Sequence, residues 1–339
     1  MFSTSPYLLK DASVSRVMTC VCLALLPGTV AYAWLIGPAI LIQITIAAFT
    51  ALLAEALLLR LRGKPLAPFL SDGSAVVTAW LIALTFPPLS PWWLVVVGVL
   101  FAIVVAKHLY GGLGQNPFNP AMIAFAVCIV SYPALMSQWP GQSLHLPIAE
   151  QANIIFGLSH RIDALSVATP LDALKTALHV SDGGPVSVAR LLENQDIYGT
   201  FAGRGWEWVA AAYLLGGLWL WWMGVITWQV PAAFIAALAA LSGVLWLYNP
   251  DHFANPLFHL FSGSAMLGAF FIATDPVSGC TTPRGKLIFG AGVGLLAYII
   301  RVFGGYPDGI AFAVLLMNIA APLIDHFTQP PIFGMKGEK

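Results

Sequence analysis

The residues best suited by type and spacing to carry chemistry fall into three groups, and the first is Asp163-Ala164-Leu165-Ser166-Val167-Ala168-Thr169-Pro170. Taken alone, Thr169-Pro170 reads as a helix start. A threonine hydroxyl accepts a free backbone N–H at the N-cap, and proline suits the first helical position because its missing N–H has no partner there anyway. The second group is ionisable residues inside apolar runs, Glu55 and His259. Burying such a group costs several kcal/mol, so each is a candidate for function. Glu55 lies close enough to Arg60 on a helix to snorkel or pair with it, and His259 reads equally well as a neutral core residue. The third group is Asn116 and Asn119 within Gly111–Pro120, and Thr274 and Asp275 within Thr274–Gly285, with Arg301–Gly309 as a further interrupted segment. These read as turns between elements or as broken segments that present hydrogen-bonding groups to a ligand.

Other chemistries find no support. Cys20, Cys22, Cys128 and Cys280 have neither metal-ligand nor disulfide spacing. No Ser-His-Asp arrangement and no nucleotide fingerprint occurs, so no catalytic residue and no metal site is assigned. A formal net charge of zero argues against nucleic acid as a partner.

The elements that must position these residues follow from composition. Of 339 residues, 59% are apolar and 9% are Asp, Glu, Lys or Arg, far below the roughly 25% of a soluble domain. Such a chain cannot clothe a water-facing surface, and the bilayer is its solvent. Apolar runs at about 17–36, 38–60, 71–87, 91–107, 120–138, 207–228, 230–248, 257–274, 286–303 and 309–328 predict about ten transmembrane helices. The fold class is therefore an all-α integral membrane protein. The charged start (Lys10, Asp11, Arg16) leads straight into a full span, with no cleavable signal.

Basic residues set the orientation. With the N-terminus inside, the cytoplasmic ends hold Lys10, Arg16, Arg60, Arg62, Lys64, Lys107, Arg284, Lys286, Lys336 and Lys339. Arg161, Lys175, Arg190, Arg204 and Arg301 fall outside, four of them in one long loop that the positive-inside rule discounts. Both termini are thus expected in the cytoplasm. Trp92, Trp93, Trp206 and Trp208 are expected as an outer aromatic belt. Residues 139–206 are polar and long enough for an ordered cap, in the periplasm if the membrane is a bacterial inner membrane. Its apolar stretches Ile154–Leu158 and Val186–Leu192 can fold back onto the membrane face. Three regions follow: a first transmembrane unit over 1–138, the outer loop over 139–206, and a second unit with a short cytoplasmic tail over 207–339.

The two units look duplicated. Gly73-Ser74-Ala75 parallels Gly263-Ser264-Ala265, Thr85-Phe86-Pro87 parallels Thr274-Asp275-Pro276, and Tyr110-Gly111-Gly112 with Asn116-Pro117 parallels Gly304 through Gly309. Matching spans are five apart, an odd number, so the five-helix halves run in opposite directions. Inverted repeats place ligands near the midplane, at Gly- and Pro-broken helices.

The whole chain resembles the RnfD family, the D component of the Rnf electron-transport complex, and is similar to the corresponding membrane component of the sodium-translocating NADH:quinone reductase. Asp163, Ser166, Ala168, Thr169 and Pro170 match that family's flavinylation signature, with Val167 where the signature has glycine. Lys107 through Pro120, Thr274-Asp275-Pro276 and Gly304 through Gly309 match as well. The resemblance implies an FMN joined to Thr169 by a phosphodiester, made by a flavin transferase that reads the motif around Asp163. It also implies a second, non-covalent flavin, riboflavin or FMN, toward the cytoplasm, for which Asn116, Asn119, Thr274 and Asp275 are the candidates. By the same resemblance the chain is the electron-relay component of an ion-translocating ferredoxin:NAD oxidoreductase in the bacterial inner membrane. Its partners are the other Rnf components, RnfA, RnfB, RnfC, RnfE and RnfG, with the NAD site and iron-sulfur centres elsewhere. The alternative is a solute channel or secondary transporter similar to urea-transporter-like permeases, which also use an inverted five-helix repeat.

Overall fold

The computed structural model describes residues 13–141, 146–158, 166–180, 187–306 and 308–329. Lys10 and Asp11 of the N-terminal segment, the C-terminal residues from 330 on and Asp163 lie outside the described residues. Ser13 caps α1 (Val14–Leu35) by accepting the N–H of Arg16, and α2 spans Ala39–Leu61. The third apolar run is broken into α3 (Leu66–Leu70) and α4 (Ser74–Thr85) at Gly73, whose φ of +79° is one that only glycine adopts without strain. Helix α5 (Trp92–Leu100) continues as π-helix through Phe101–His108. Asn119 caps α6 (Pro120–Ser131), and Pro133, lacking an N–H, interrupts that run before α7 (Pro133–Met136).

The long loop is ordered where it is described. It contains β1 (Trp139–Pro140), α8 (Ile148–Phe156), β2 (Ser166–Val167), α9 (Pro170–Val180) and α10 (Val188–Leu192). The strands pair antiparallel, Trp139 opposite Val167 and Pro140 opposite Ser166. The second half follows with α11 (Trp206–Trp222), α12 (Gln229–Tyr248), α13 (Pro256–Phe261) and α14 (Ala265–Leu267). A π-helical Gly268–Ile272 extends α14, and α15 (Pro283–Phe303) and α16 (Ile310–Thr328) complete the bundle.

Each of the ten apolar runs carries helix. Among the described residues, six stretches are long and apolar enough to cross a membrane: Val14–Leu35, Ala39–Leu61, Leu66–Thr85, Gln229–Tyr248, Pro283–Phe303 and Ile310–Thr328. The protein is an all-α, multi-pass membrane protein. Side chains such as Trp34, Phe49 and Phe327 point outward, as a lipid-facing surface allows.

Small residues let the helices approach closely, the usual device where lipid removes the hydrophobic drive between them. A Cβ on Gly216 of α11 would sit 2.0 Å from the Ala24 carbonyl oxygen of α1. Gly290 and Gly294 of α15 lie against α12 in the same way, with the carbonyl oxygens of Val230 and Phe234 at 2.5 and 2.4 Å from the added atom. The α1–α11 contact ties the first half of the chain directly to the second.

Parts of the loop pack inward. Ile154, Ile155 and Val188 are buried, whereas Phe156 and Leu158 remain exposed. Gln151 of α8 is buried and accepts the N–H of Ala39 at 2.8 Å, which docks α8 on the α1–α2 turn. Helix α9 packs Leu171 and Leu174 with Val188, Tyr198, Ala254 and Phe258 in a small core apart from the main one. Trp206 differs from the expected belt: it turns inward and meets Tyr32 and Trp139 edge-to-face, while Trp92 and Trp208 stay exposed.

Candidate functional site

Thr169 caps α9 as its position before Pro170 predicts. Its Oγ1 accepts the N–H of Asp172 at 3.2 Å and its carbonyl accepts the N–H of Ala173 at 2.8 Å. The helix start is held on two sides. Pro170 is buried against Gly203, where a Cβ would lie 2.2 Å from the proline Cγ. Behind it, Val167 occupies the space over Gly141, whose Cβ would lie 2.9 Å from Val167 Cγ2. The bulk that replaces the signature's glycine is therefore accommodated across the two-stranded ladder.

Half-buried Thr169 lines a cavity of about 320 Å³, within the range of small-molecule sites, roughly 300–1,000 Å³. Its walls come from α1, α4, α6, α11, α14 and α16, so both halves of the chain build it. Six aromatic rings line it: Tyr32, Phe125, Trp139, Trp206, Tyr213 and Tyr306. Thr85, Asp172, Ser264 and Asp308 add polar groups. The buried Tyr32 hydroxyl has no hydrogen-bond partner among the described residues. A flat aromatic ring system with hydrogen-bonding edges suits such walls. Ala168 precedes Thr169 in exposed backbone and Ser166 begins the short strand, whereas Asp163 lies outside the described residues.

Asn116, Asn119, Thr274 and Asp275, far apart in sequence, line one second cavity of about 130 Å³, together with Ser74 and Lys107. Most of their polar atoms already serve the fold. The Asn119 side chain accepts the N–H groups of Ala121 and Met122 and donates to the Ile272 carbonyl at 3.2 Å, while its backbone N–H donates to Asn318 Oδ1. Thr274 donates to the Phe270 carbonyl at 2.6 Å. Asp275 forms a turn, accepting from Val277 N–H and Ser278 Oγ. Asn116 Nδ2 donates to the Phe118 carbonyl.

The two cavities share walls. Helix α4 runs from Ser74 at the smaller one to Thr85 at the larger, about 16 Å at 1.5 Å per residue. Tyr213 lines the larger and Phe271 the smaller, and their rings meet edge-to-face with centroids 6.0 Å apart.

Glu55 does not pair with Arg60. Its Oε1 instead accepts from Lys107 Nζ at 2.6 Å and lies 3.1 Å from His108 Nε2, with all three residues buried. Lys107 is thus an interior cation, where the basic-residue count treats it as a cytoplasmic end. Its Nζ also donates to Ser74 Oγ at 2.8 Å, and Ser74 bonds Asp72 through N–H and hydroxyl. A similar arrangement surrounds Ser264, whose N–H and hydroxyl both donate to Asp308, which in turn pairs with buried Arg301. Gly73 and Gly263, just before these serines, both have positive φ. His259 is buried, its carbonyl accepting from Arg301 Nη1 at 2.6 Å. The burial and pairing of Lys107 and Arg301 are not legible in sequence because each sits near a run's end, where snorkelling is the ordinary reading. The available signal is the Gly-Gly pair shortly after each.

Comparison with known proteins covers nearly the full length. Residues 1–334 match the NQR2, RnfD, RnfE family. The chain is similar to the D component of the ion-translocating oxidoreductase complex of Yersinia pseudotuberculosis (strain IP 31758), at 48% identity over 98% of each chain. It is also similar to the components of the same description from Escherichia fergusonii and Escherichia coli O1:K1, at 47% identity over 98% of this chain and 97% of each relative.

Proposed function

The chain belongs to the NQR2, RnfD, RnfE family, and from that premise we propose that it is the electron-relay component of an ion-translocating oxidoreductase complex of the Rnf type. In this reading an FMN is joined through its phosphate to Thr169 Oγ1, and its ring occupies the aromatic cavity beneath. A second flavin sits against Asn116, Asn119, Thr274 and Asp275. When bound, the flavins supply one-electron exchange; the protein positions them and tunes them.

The observation that carries the proposal is the Tyr213–Phe271 contact, because it joins the two cavities through packed aromatic side chains. Each residue has a definite part. Helix α9 presents Thr169, and Pro170 on Gly203 keeps that helix start in place. Trp139, Trp206 and Tyr306 wall the ring and exclude water. Lys107, whose charge Glu55 balances and whose ammonium Ser74 also holds, lines the smaller cavity as a fixed donor group. Asp163 acts before any of this, as a recognition element for the transferase.

The architecture is ten transmembrane helices in two inverted five-helix repeats. The serine–carboxylate–cation clusters at Ser74 and Ser264, each after a positive-φ glycine, support it. Both termini are cytoplasmic, and the segment over 139–206 is periplasmic in a bacterial inner membrane. Partners are the other components of the complex, RnfA, RnfB, RnfC, RnfE and RnfG, and a flavin transferase.

A denaturing gel tests the central claim. The chain expressed with its transferase is expected to fluoresce under ultraviolet light, and Thr169→Ala to be dark. A dark wild-type band would overturn the proposal and favour a permease.

A further inference from the structure

Beyond the two cavities already described, a third of about 480 Å³ lies between α9, the α12–α13 connection and the last turn of α15. Its polar lining is Asn249, Lys175, His252, His259 and Arg301, four of them basic by type. Among the described residues its walls carry no carboxylate. Asp308, which neutralises Arg301, faces the cavity at Thr169 instead. His259 is 4% exposed, and its Nδ1 has no hydrogen-bond partner among the described residues. A buried nitrogen left so is costly unless something enters the cavity to meet it. Lys175 Nζ reaches over the end of α15 to the carbonyls of Gly304 and Tyr306.

The remaining lining is apolar. Leu178 of α9, Phe253 and Phe303 stand along it, with the Phe253 and Phe303 rings 6.4 Å apart. Phe303 ends a helix long and apolar enough to span the bilayer, and 64% of it is exposed. The cavity therefore opens from a cationic inner end onto a surface that contacts hydrocarbon.

We propose that this cavity binds an anionic phospholipid. Its headgroup phosphate sits beside Lys175, His252 and His259, with Arg301, held by Asp308, behind them, and an acyl chain runs along Phe253 and Phe303. Basic pockets between membrane helices recognise such headgroups by charge. A free phosphate would leave the apolar wall unused. A zwitterionic lipid would bring its own cation against Lys175 and the two histidines. Because α9 begins at Thr169 and contributes Lys175 and Leu178, the lipid clamps the helix that presents Thr169 onto the end of α15. The site does not depend on what Thr169 carries.

The test uses the purified complex and phosphatidylglycerol with a photoactivatable diazirine in its acyl chain. A diazirine-bearing phosphatidylcholine and inorganic phosphate serve as comparison and competitor. Phosphatidylglycerol is expected to label peptides containing residues 249–254 or 299–303 severalfold more than phosphatidylcholine, without displacement by inorganic phosphate. Arg301 variants risk misfolding, so the double substitution Lys175→Gln with His252→Gln is used, which leaves the buried Arg301–Asp308 pair in place. It is expected to lower labelling about tenfold, the equivalent of about 1.4 kcal/mol. A gel-filtration profile like that of the wild type verifies folding. Equal labelling by phosphatidylcholine, displacement by inorganic phosphate, or unchanged labelling in a folded double variant would each overturn the proposal.

Discussion

At Thr169, one side chain serves two ends. Its oxygen caps α9 through the Asp172 N–H, and in the proposed function the same oxygen bears the FMN phosphate. The two roles can be separated by substitution. Asparagine is as good an N-cap as threonine but offers no hydroxyl. Thr169→Asn is therefore expected to fold normally by gel filtration and to show no flavin fluorescence on a denaturing gel. Thr169→Ser should keep both cap and fluorescence. Glu55 poses a different residue-scale question, because its carboxylate and Lys107 are both buried at 2% exposure. Removing one partner strands the other charge, at a cost of about 3–5 kcal/mol. Glu55→Ala should lower the melting temperature sharply in thermal unfolding, and Glu55→Ala with Lys107→Met should recover much of the loss. A double variant no better than the single one would show that the ion pair contributes little.

Among elements, α9 matters most, because its start must be aimed as well as formed. Capping explains why it begins at Pro170; the Gly203 contact explains where it points. Gly203→Ala would drive a methyl group into the rigid ring of Pro170 and push the helix start away. The expected outcome is a severalfold lower flavin content per chain, measured by absorbance, with the bundle intact. The cavities are likewise products of broken elements. The positive φ at Gly73 and Gly263 starts α4 and precedes α14, and at both places a serine donates its N–H and hydroxyl to a carboxylate. A continuous helix there would satisfy those donors internally and leave no polar group at the cavity wall.

For the whole molecule, the bundle depends on backbone contact at glycines. Gly294→Ile would place a branched side chain on the Phe234 carbonyl of α12, where even a Cβ reaches 2.4 Å. Detergent-solubilised protein should then elute as aggregate, whereas Gly243→Ala, with its nearest neighbour at an ordinary 3.4 Å, should elute like the wild type. The proposed topology makes its own prediction. An alkaline phosphatase fused after residue 158 should be active, and one fused after residue 115 inactive, because the two cavities face opposite sides of the membrane.

Much of this was legible in the sequence, and the reason is local. Apolar runs, Pro and Gly breaks, and Thr169-Pro170 each act within a turn or two of chain, so helix positions, the cap and the ordered loop could be read from the residues alone. Membrane character followed from composition, since too few charged residues exist to cover a surface. What only the tertiary structure decided depends on partners distant in sequence. Glu55 finds Lys107 rather than Arg60, Trp206 turns inward, Val167 fits because Gly141 lies beneath it, and Asn116, Asn119, Thr274 and Asp275 converge on one cavity. The basic pocket under α9 was hidden for the same reason: Lys175, His252, His259 and Arg301 come from three separate segments, and only packing brings their charges together.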